Sequence, residues 1–382
     1  MKFSQDEIAR YARHLILPEV GLAGQTKLRQ SSVLCIGVGG LGSSACLYLA
    51  AAGIGRLGVV DGDPVELSNL QRQILHGTRD VGRPKTESAR RTLLHLNPHV
   101  QLETFPAHLT SANAVDIISG YDAVLDCTDN FPARYLINDA CVLLRKPNAY
   151  GAVYRMEGQA SLFAPHLDGP CYRCLFPTPP PPGTIPSCVE AGVLGIVPGI
   201  IGCIQAMEIL KVLLQLGDPL LRRLLLFDAS SMRFRELKIR RDPECPICGQ
   251  HPQIQTLTDC PRACSHSTTP TAEGNHPDEV SVVEMKKALD DSSLGIQVLD
   301  IREAGERAVA AVEGTAFLPL SQLLKDPSSL DPDKTYYLYC HSGGRSLGAV
   351  DFLKKHGFMR VKSVRGGIQA WSVEIDPRVP VY

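Results

Sequence analysis

The stretch S-V-L-C-I-G-V-G-G-L-G-S-S-A-C-L-Y-L, Ser32 to Leu49, passes from an apolar run through a glycine turn into an Ala/Leu-rich segment. Val33, Leu34 and Ile36 have the β-branched, apolar character of a buried strand. Gly37-x-Gly39-x-x-Gly42 is the turn, and the segment from about Leu41 to Ala52 is expected to be helical. Glycines let backbone N–H groups approach a phosphate closely, and a helix N-terminus adds its partial positive charge. Taken alone the pattern could hold NAD, FAD or ATP, or simply make a tight strand-to-helix turn.

Working outward, 382 residues are too many for one core, so two domains are expected. A hydrophobic content of 44% and a charged content of 21% are those of an ordinary soluble globular protein. The net charge of -1 gives no support for a nucleic-acid partner. Met1 to Tyr11 has acidic residues and no apolar h-region, so secretion is not expected and the cytoplasm is. The 13 cysteines then point to metal or catalytic thiols in a reducing compartment. Ala191 to Ile204 is apolar but interrupted by Gly195, Pro198, Gly199 and Gly202; a membrane span needs about 20 residues, so it is expected to be core.

Ser4 and Glu7 form a capping box for a helix over Ser4–Leu15, with Arg10 and Arg13 on one face. A second strand, Leu57 to Asp61, ends in an acid about 20 residues past the glycine turn, where a ribose-binding acid is expected. Lys85 to Leu94 reads as a helix and Tyr121 to Cys127 as another buried strand. The alternation predicts a parallel, doubly wound α/β sheet, Rossmann-like, over residues 1–249. Pro177 to Gly183 is a stiff crossing segment. Leu224–Phe227 and Phe234–Ile239 read as strands. Residues 250–278, rich in Thr, Ser, Pro, His and Gly, form a linker. Residues 279–382 form a smaller α/β domain, with strands at 297–300, 336–339 and 360–364 and helices at 282–289 and 346–356.

Asn69, Arg72 and Gln73 in L-S-N-L-Q-R-Q, Lys85 in V-G-R-P-K and Asp129 in D-C-T-D-N sit near predicted strand ends, beside Asp61 and Asp63. Any one of them is what a solvated loop carries. Jointly they offer cations for phosphate oxygens and an acid for Mg²⁺, which a dehydrogenase does not need, and they favour ATP. Cys171-x-x-Cys174 and Cys245-x-x-Cys248 supply four thiolates, a closed tetrahedral set for structural Zn²⁺ rather than redox pairs. Cys188, after the proline run, is either a nucleophile near the nucleotide or a small residue that happens to be cysteine. Cys35, Cys46, Cys127, Cys141 and Cys203 lie in apolar runs and are expected to be buried packing residues. In Y-Y-L-Y-C-H-S-G-G-R-S, Cys340 ends a strand, and Gly343, Gly344 and Arg345 follow. Successive N–H groups and a helix N-terminus would cradle an anion there. Its C-x4-R loop is one residue shorter than the C-x5-R of cysteine phosphatases, which suits a persulfide sulfur.

Residues 1–249 resemble the MoeB/ThiF group of ubiquitin-activating-like adenylyltransferases in G-V-G-G-L-G, L-S-N-L-Q-R-Q, V-G-R-P-K, D-C-T-D-N, M-E-G-Q, C-Y-R-C and C-P-I-C. Residues 279–382 resemble a rhodanese domain in L-D-I-R-E, the Cys340 loop and G-G-I-Q-A-W. The order is that of the fused MoeB–rhodanese (MoeZ-type) sulfurtransferases. The resemblance implies ATP and Mg²⁺ at Gly39, Gly40 and Asp61, with Asn69, Arg72 and Lys85 on the phosphates and Asp129 at the metal. It implies a homodimer in which Arg13 reaches the phosphates of the partner subunit. The substrate would be a ubiquitin-like sulfur carrier, MoaD-, ThiS- or CysO-like, ending in Gly-Gly. Cys340 would carry a persulfide loaded by a donor such as a cysteine desulfurase, and Cys188 would hold the carrier covalently.

Two departures bear on the second domain. The rhodanese H-I-P-G-A stretch is here A-A-V-E-G-T-A, which alters the entry to its loop. C-H-S-G-G-R lacks the charged residue often found after the cysteine, leaving persulfide stabilisation to backbone N–H groups and Arg345. Three competing accounts stand beside the main one. They are an adenylyltransferase with an inactive or regulatory rhodanese domain, an NAD-binding redox protein with a zinc knuckle, and a non-catalytic carrier-docking scaffold.

Overall fold

A computed structural model describes residues 3–180, 192–259 and 276–382. They fall into two compact units, the first over 3–180 and 192–259, the second over 276–382. Cys188, Cys260, Cys264 and residues 181–183 of the proline run lie outside the described residues.

Eight strands make the sheet of the first unit: β1 Ser32–Ile36, β2 Arg56–Val60, β3 Gln101–Phe105, β4 Ala123–Asp126, β5 Asn148–Tyr154, β6 Glu157–Phe163, β7 Arg223–Asp228 and β8 Arg233–Lys238. Their order is β3-β2-β1-β4-β5-β6-β7-β8. The sequence predicts a parallel sheet, and β1 to β5 are parallel, whereas β5 to β8 pair antiparallel. The reversal begins at a two-residue turn, Arg155-Met156, with Arg155 in the left-handed region at φ 55°. That turn has no Asn-Gly or Asp-Gly to announce it in the sequence. β1 is buried at all five residues because it lies between β2 and β4, where Val33 faces Leu57 on one side and Ala123 on the other. Central position explains its unbroken apolar run.

The helix after β1 is Gly40–Ala52, and Ile196–Leu214 packs across it. Their approach is close enough that a Cβ at Gly202 would stand 2.2 Å from the Leu41 carbonyl oxygen. The latter helix runs through Pro198, Gly199 and Gly202 instead of being broken by them. Pro198 sits in its first turn, where a missing N–H costs little. At 19 residues it is long and apolar enough to cross a membrane, but Val197, Ile201, Ile209 and Leu213 pack into the sheet core. Burial of such side chains contributes on the order of 1.5–3 kcal/mol each, so the stretch is core, as its composition suggested. Cys35, Cys46, Cys127 and Cys141 are buried as expected, while Cys203 is only half-buried.

The second unit holds β9 Glu279–Val280, β10 Ile296–Asp300, β11 Ala316–Phe317, β12 Thr335–Tyr339 and β13 Val361–Val364, all parallel, in the order β11-β10-β12-β13-β9. Side chains alternate across this sheet. Val298 and Tyr339 enter one apolar cluster, Leu299, Leu338 and Cys340 the other. β9 and β11 are two residues each, too short for alternation to mark them in the sequence.

Candidate active sites

In the first unit the strand order reverses direction at β1, whose neighbours β2 and β4 follow on opposite sides. Crevices at the carboxyl ends of strands at such a point are where open α/β sheets bind ligands. The glycine turn is stitched to both neighbours: the Gly37 N–H donates to the Val60 carbonyl at 2.8 Å, and the Cys127 N–H donates to that of Ile36 at 3.0 Å. Gly37 takes φ 89°, and a Cβ there would lie 2.8 Å from the Cys127 carbonyl oxygen, so neither the conformation nor the space admits another residue.

Val38 is held at both backbone groups. Its N–H donates to Asp61 Oδ2 at 3.0 Å, and its carbonyl oxygen lies 3.0 Å from His76 Nε2. His76 is buried, its other ring nitrogen is 3.0 Å from the Ser88 hydroxyl, and burial pulls its pKa down. Asp61 ends β2 with its side chain only 8% exposed. Burial raises its pKa against the pull of Lys85, whose Nζ is 3.9 Å from Asp61 Oδ1 and 3.1 Å from Asp63 Oδ2.

Arg72 reaches the same crevice, its Cγ 3.5 Å from where a Cβ at Gly40 would stand. Asn69 is buried and accepts the Glu66 N–H at 3.3 Å, which fixes the turn before Arg72. Asp129 is exposed two residues beyond Cys127. Its loop is braced from below by Asp126, which accepts the Thr128 hydroxyl at 2.7 Å, and by Arg134 Nη2, which donates to the Thr128 carbonyl at 3.0 Å. Thus Asp61 bonds the glycine turn, Lys85 stands beside Asp61, and Arg72 approaches Gly40, while Asn69 fixes the turn before Arg72 and Asp129 lies two residues past Cys127. Arg13 does not join them: it is exposed on Gln5–Leu15 and makes no hydrogen bond or ion pair with the described residues.

Two further polar atoms lie near the glycine turn. Gln73 Oε1 and Ser43 Oγ are buried and have no hydrogen-bond partner among the described residues. Gln73 Nε2 lies 3.6 Å from a Cβ placed at Gly39, and Ser43 is in the first turn of the helix that the cradle opens. Unsatisfied buried groups cost about 1–3 kcal/mol each, and polar ligand groups at the cradle would satisfy them. Gln73 stands in the L-S-N-L-Q-R-Q run, but His76 and Ser43 carry no local signal. Each acts through a backbone or a neighbour that only folding brings to it.

Cys171, Cys174, Cys245 and Cys248 come together with all four sulfurs within 4.8 Å of one another. Nearest separations of 3.4 Å (174–248), 3.6 Å (171–245) and 3.9 Å (171–174) are far beyond a disulfide bond. They match the edges of a tetrahedron of about 2.3 Å metal–sulfur bonds. The Asp242 N–H donates to Cys174 Sγ at 3.4 Å, the kind of outer contact that orients a thiolate ligand. The cluster could hold zinc.

In the second unit Cys340 ends β12 with no exposed surface. The Gly343 N–H donates to its sulfur at 3.2 Å, and the Ser346 hydroxyl lies 3.6 Å away. Gly343 takes φ 101° and caps the Gly344–Lys355 helix, whose N-terminus opens beside the loop. A second glycine turn abuts it: a Cβ at Gly367 would come within 2.3 Å of the Cys340 carbonyl oxygen. The guanidinium of Arg345 is gripped by Glu306 through bonds of 2.8 and 2.6 Å. The sequence assigns the sulfur to backbone N–H groups and Arg345; the Gly343 N–H meets it, and the Arg345 fork is engaged by an acid. Glu306 escaped notice because its partner is 39 residues away.

Burial alone would push Glu306 up, but the bonds and charge of Arg345 outweigh it and hold its carboxyl below its ordinary 4.5. A carboxylate depressed on folding contributes stability above its unfolded pKa and loses it as pH falls through the folded value. Acidification below about pH 4.5 is therefore expected to destabilise this unit. In thermal scans of the full chain, Glu306→Gln should flatten that acid limb of the second unit's transition. An unchanged limb in the variant would show that the pair contributes nothing.

A ThiF family model matches residues 11–247 and a Rhodanese-like domain model matches residues 281–374. The chain is 41% identical over 384 residues to "Probable adenylyltransferase/sulfurtransferase MoeZ" of Mycobacterium tuberculosis, covering 99% of this chain and 96% of that protein. It is 42% identical over 395 residues to "Adenylyltransferase and sulfurtransferase MOCS3" of Drosophila yakuba, covering 100% of this chain and 86% of that one. Among solved structures, E. coli MccB with MccA-N7isoASN has a TM-score of 0.57 at 23% identity, over 65% of this chain and 76% of that chain. E. coli MccB with ATP has a TM-score of 0.53 at 25% identity, over 63% and 74%.

Proposed function

Because the chain belongs to the ThiF family and carries a rhodanese-like domain behind it, we propose that its two units act in sequence on one substrate. It is an enzyme of the adenylyltransferase/sulfurtransferase class that its full-length relatives are named for. Residues 1–249 adenylate the C-terminal glycine of a ubiquitin-like sulfur carrier, MoaD-, ThiS- or CysO-like. Residues 279–382, behind the 250–278 linker, supply the sulfur. The observation that carries the first half is the glycine turn with two buried polar atoms near it, Gln73 Oε1 and Ser43 Oγ, that have no partner among the described residues. Arg72, which approaches Gly40, and the Lys85–Asp61 pair support it.

In this account Gly39 and Gly40 lie along the phosphates, Asp61 takes the ribose, and Asn69, Arg72 and Lys85 meet phosphate oxygens. Asp129 would hold Mg²⁺, which offsets charge on the triphosphate. Arg13, exposed and without a partner among the described residues, would reach the nucleotide of a second copy in a homodimer. The carrier carboxylate attacks the α-phosphorus, the bond to the β-phosphate oxygen breaks, and pyrophosphate leaves. The terminal sulfur of a Cys340 persulfide then attacks the acyl carbon, and AMP leaves with the electrons of the broken C–O bond. A thiol cleaves the resulting acyl disulfide at the Cys340 sulfur, releasing the thiocarboxylate; the Cys340 mixed disulfide is then reduced by external thiol. Cys188 is assigned to covalent retention of the carrier, and a cysteine desulfurase to loading Cys340, in the cytoplasm.

Incubation of the full chain with ATP, Mg²⁺, a persulfide donor and a Gly-Gly carrier should give the carrier a mass gain of about 16 Da, oxygen replaced by sulfur. A carrier that leaves unchanged, with no ATP–pyrophosphate exchange, would sink the reading. The alternative, a regulatory rhodanese unit with an external sulfur source, draws on one fact: Cys340 has no exposed surface.

Zn²⁺ in the four-cysteine cluster is structural in this account, since all four positions are filled by the chain and none is left for substrate. Metal analysis is expected to find one zinc per chain, about one equivalent. Cys245→Ser should lose it and lower the unfolding temperature of the first unit. Full zinc occupancy in that variant would exclude Cys245 from the site.

A further inference from the structure

We propose that Tyr382 is a positioning residue for sulfur transfer, one that fixes His341 and with it the backbone of the loop around Cys340. This rests on Cys340 being the persulfide carrier. The sulfur is met by the Gly343 N–H at 3.2 Å, and the Ser346 hydroxyl, 3.6 Å from it, bonds the Gly343 carbonyl at 2.9 Å and so ties the same loop. A backbone N–H serves an arriving negative sulfur only while the loop keeps its curl.

Two sets of contacts hold that curl. One is backbone: the Ile368 N–H donates to the Cys340 carbonyl at 3.0 Å, and the Gln369 N–H to that of His341 at 3.1 Å. The other is built from side chains and closes on both sides of Cys340. Tyr339, immediately before it, donates its hydroxyl to Asp300 Oδ2 at 2.9 Å. Asp300 is bonded twice to Arg302, at 2.9 and 2.6 Å, and neither residue has any exposed surface. Arg302 also donates to the Ala310 carbonyl at 2.8 Å, and its Nη1 donates to the Tyr382 hydroxyl at 2.5 Å. The Tyr382 ring then meets the ring of His341 edge-on, centroids 4.7 Å apart at 62°. His341 immediately follows Cys340.

Tyr339, Asp300, Arg302, Tyr382 and His341 thus form a bracket, and Cys340 sits between its two ends. Four of its members lie on or next to the sheet strands; Tyr382 comes from 377–382, a stretch whose other residues are mostly exposed. It is the removable link. An aromatic edge contact and a hydrogen bond to a charged group are together enough to set the orientation of a side chain without deciding whether the domain folds.

The test uses the full chain with Tyr382→Ala and Tyr382→Phe, ATP, carrier and cysteine persulfide as the sulfur source. The readouts are ATP–pyrophosphate exchange, kcat and KM for the donor, and the pH profile of Cys340 alkylation by iodoacetamide, followed by peptide mass. Tyr382→Ala is expected to lower kcat about tenfold or more with KM for the donor little changed, and to displace the Cys340 profile to higher pH. Exchange should stay at the wild-type rate. Tyr382→Phe, which keeps the ring and loses the tie to Arg302, should fall between. A wild-type kcat in Tyr382→Ala overturns the proposal, and so does a lost kcat with an unmoved alkylation profile, which would make Tyr382 a fold-holding residue only. If the alanine variant does not fold, an unshifted profile in Tyr382→Phe overturns it alone. The alkylation profile reads the loop whether or not Cys340 carries the sulfur, so failure of that assignment, seen as thiocarboxylate made by Cys340→Ser, is separable from failure of this one.

Discussion

Cys340→Ser is expected to leave ATP–pyrophosphate exchange at the wild-type rate while thiocarboxylate formation falls to background. The change removes one atom's identity and little else. Serine fits a site with no exposed surface, and the Gly343 N–H that meets the sulfur at 3.2 Å can meet a hydroxyl. What is lost is the sulfur atom to which the proposed transfer assigns the persulfide. Loss of a nucleophile is about a thousandfold effect or greater, far outside what a packing change could imitate. The two activities are read on the same preparation, so intact exchange certifies the fold of the first unit. Thiocarboxylate formed at full rate by the serine variant, with the same donor, would transfer sulfur delivery to another protein and leave the rhodanese unit a regulatory role.

Lys85→Met is expected to abolish exchange, with a fall of about a hundred- to a thousandfold. The Lys85 side chain is 8% exposed and stands between Asp61 at 3.9 Å and Asp63 at 3.1 Å, at the carboxyl end of β2. In that place the ammonium does two jobs. In the proposed reaction it would offer a charge to phosphate oxygens where little water competes, and it holds down a carboxyl that burial pushes up. Methionine fills the volume and does neither. Asp61 then takes up a proton more readily and loses strength as an acceptor for the Val38 N–H, so the glycine turn loosens as well. Removing one partner of a buried pair costs on the order of 3 kcal/mol, so folding should be checked by circular dichroism beside the assay. Exchange at the wild-type rate in a folded Lys85→Met variant would remove Lys85 from the site.

Much of this was legible without coordinates, for identifiable reasons. The apolar run at 33–36 and the glycines after it constrain one another locally, and β1 and the Gly40–Ala52 helix appear where they predict. Capping at Ser4 and Glu7 is a contact between neighbours three residues apart and forms as read. The cysteine knuckles carry their spacing in the chain, and the four sulfurs meet. Antiparallel β6 to β8 were not legible, because the turn that reverses the chain at Arg155 is built from residues with no turn preference. Pro198 and the glycines beside it looked like helix breakers and are not, since one lies in the first turn and another permits close packing on Leu41.

The sequence by itself determined the kinds of chemistry: a glycine cradle with cations and acids nearby, four thiolates in pairs, and a cysteine at the head of a C-x4-R loop. These are local patterns, and local geometry follows from spacing along the chain. Only the tertiary structure decided which groups serve them. His76 bonds the Val38 carbonyl and Gln73 approaches Gly39, Glu306 takes the fork of Arg345, and Tyr382 meets the ring of His341, 41 positions earlier, while its hydroxyl accepts from Arg302 at 2.5 Å. Those pairings depend on where strands and helices pack after the chain has crossed the sheet, and no period or motif in the sequence encodes a contact of that range.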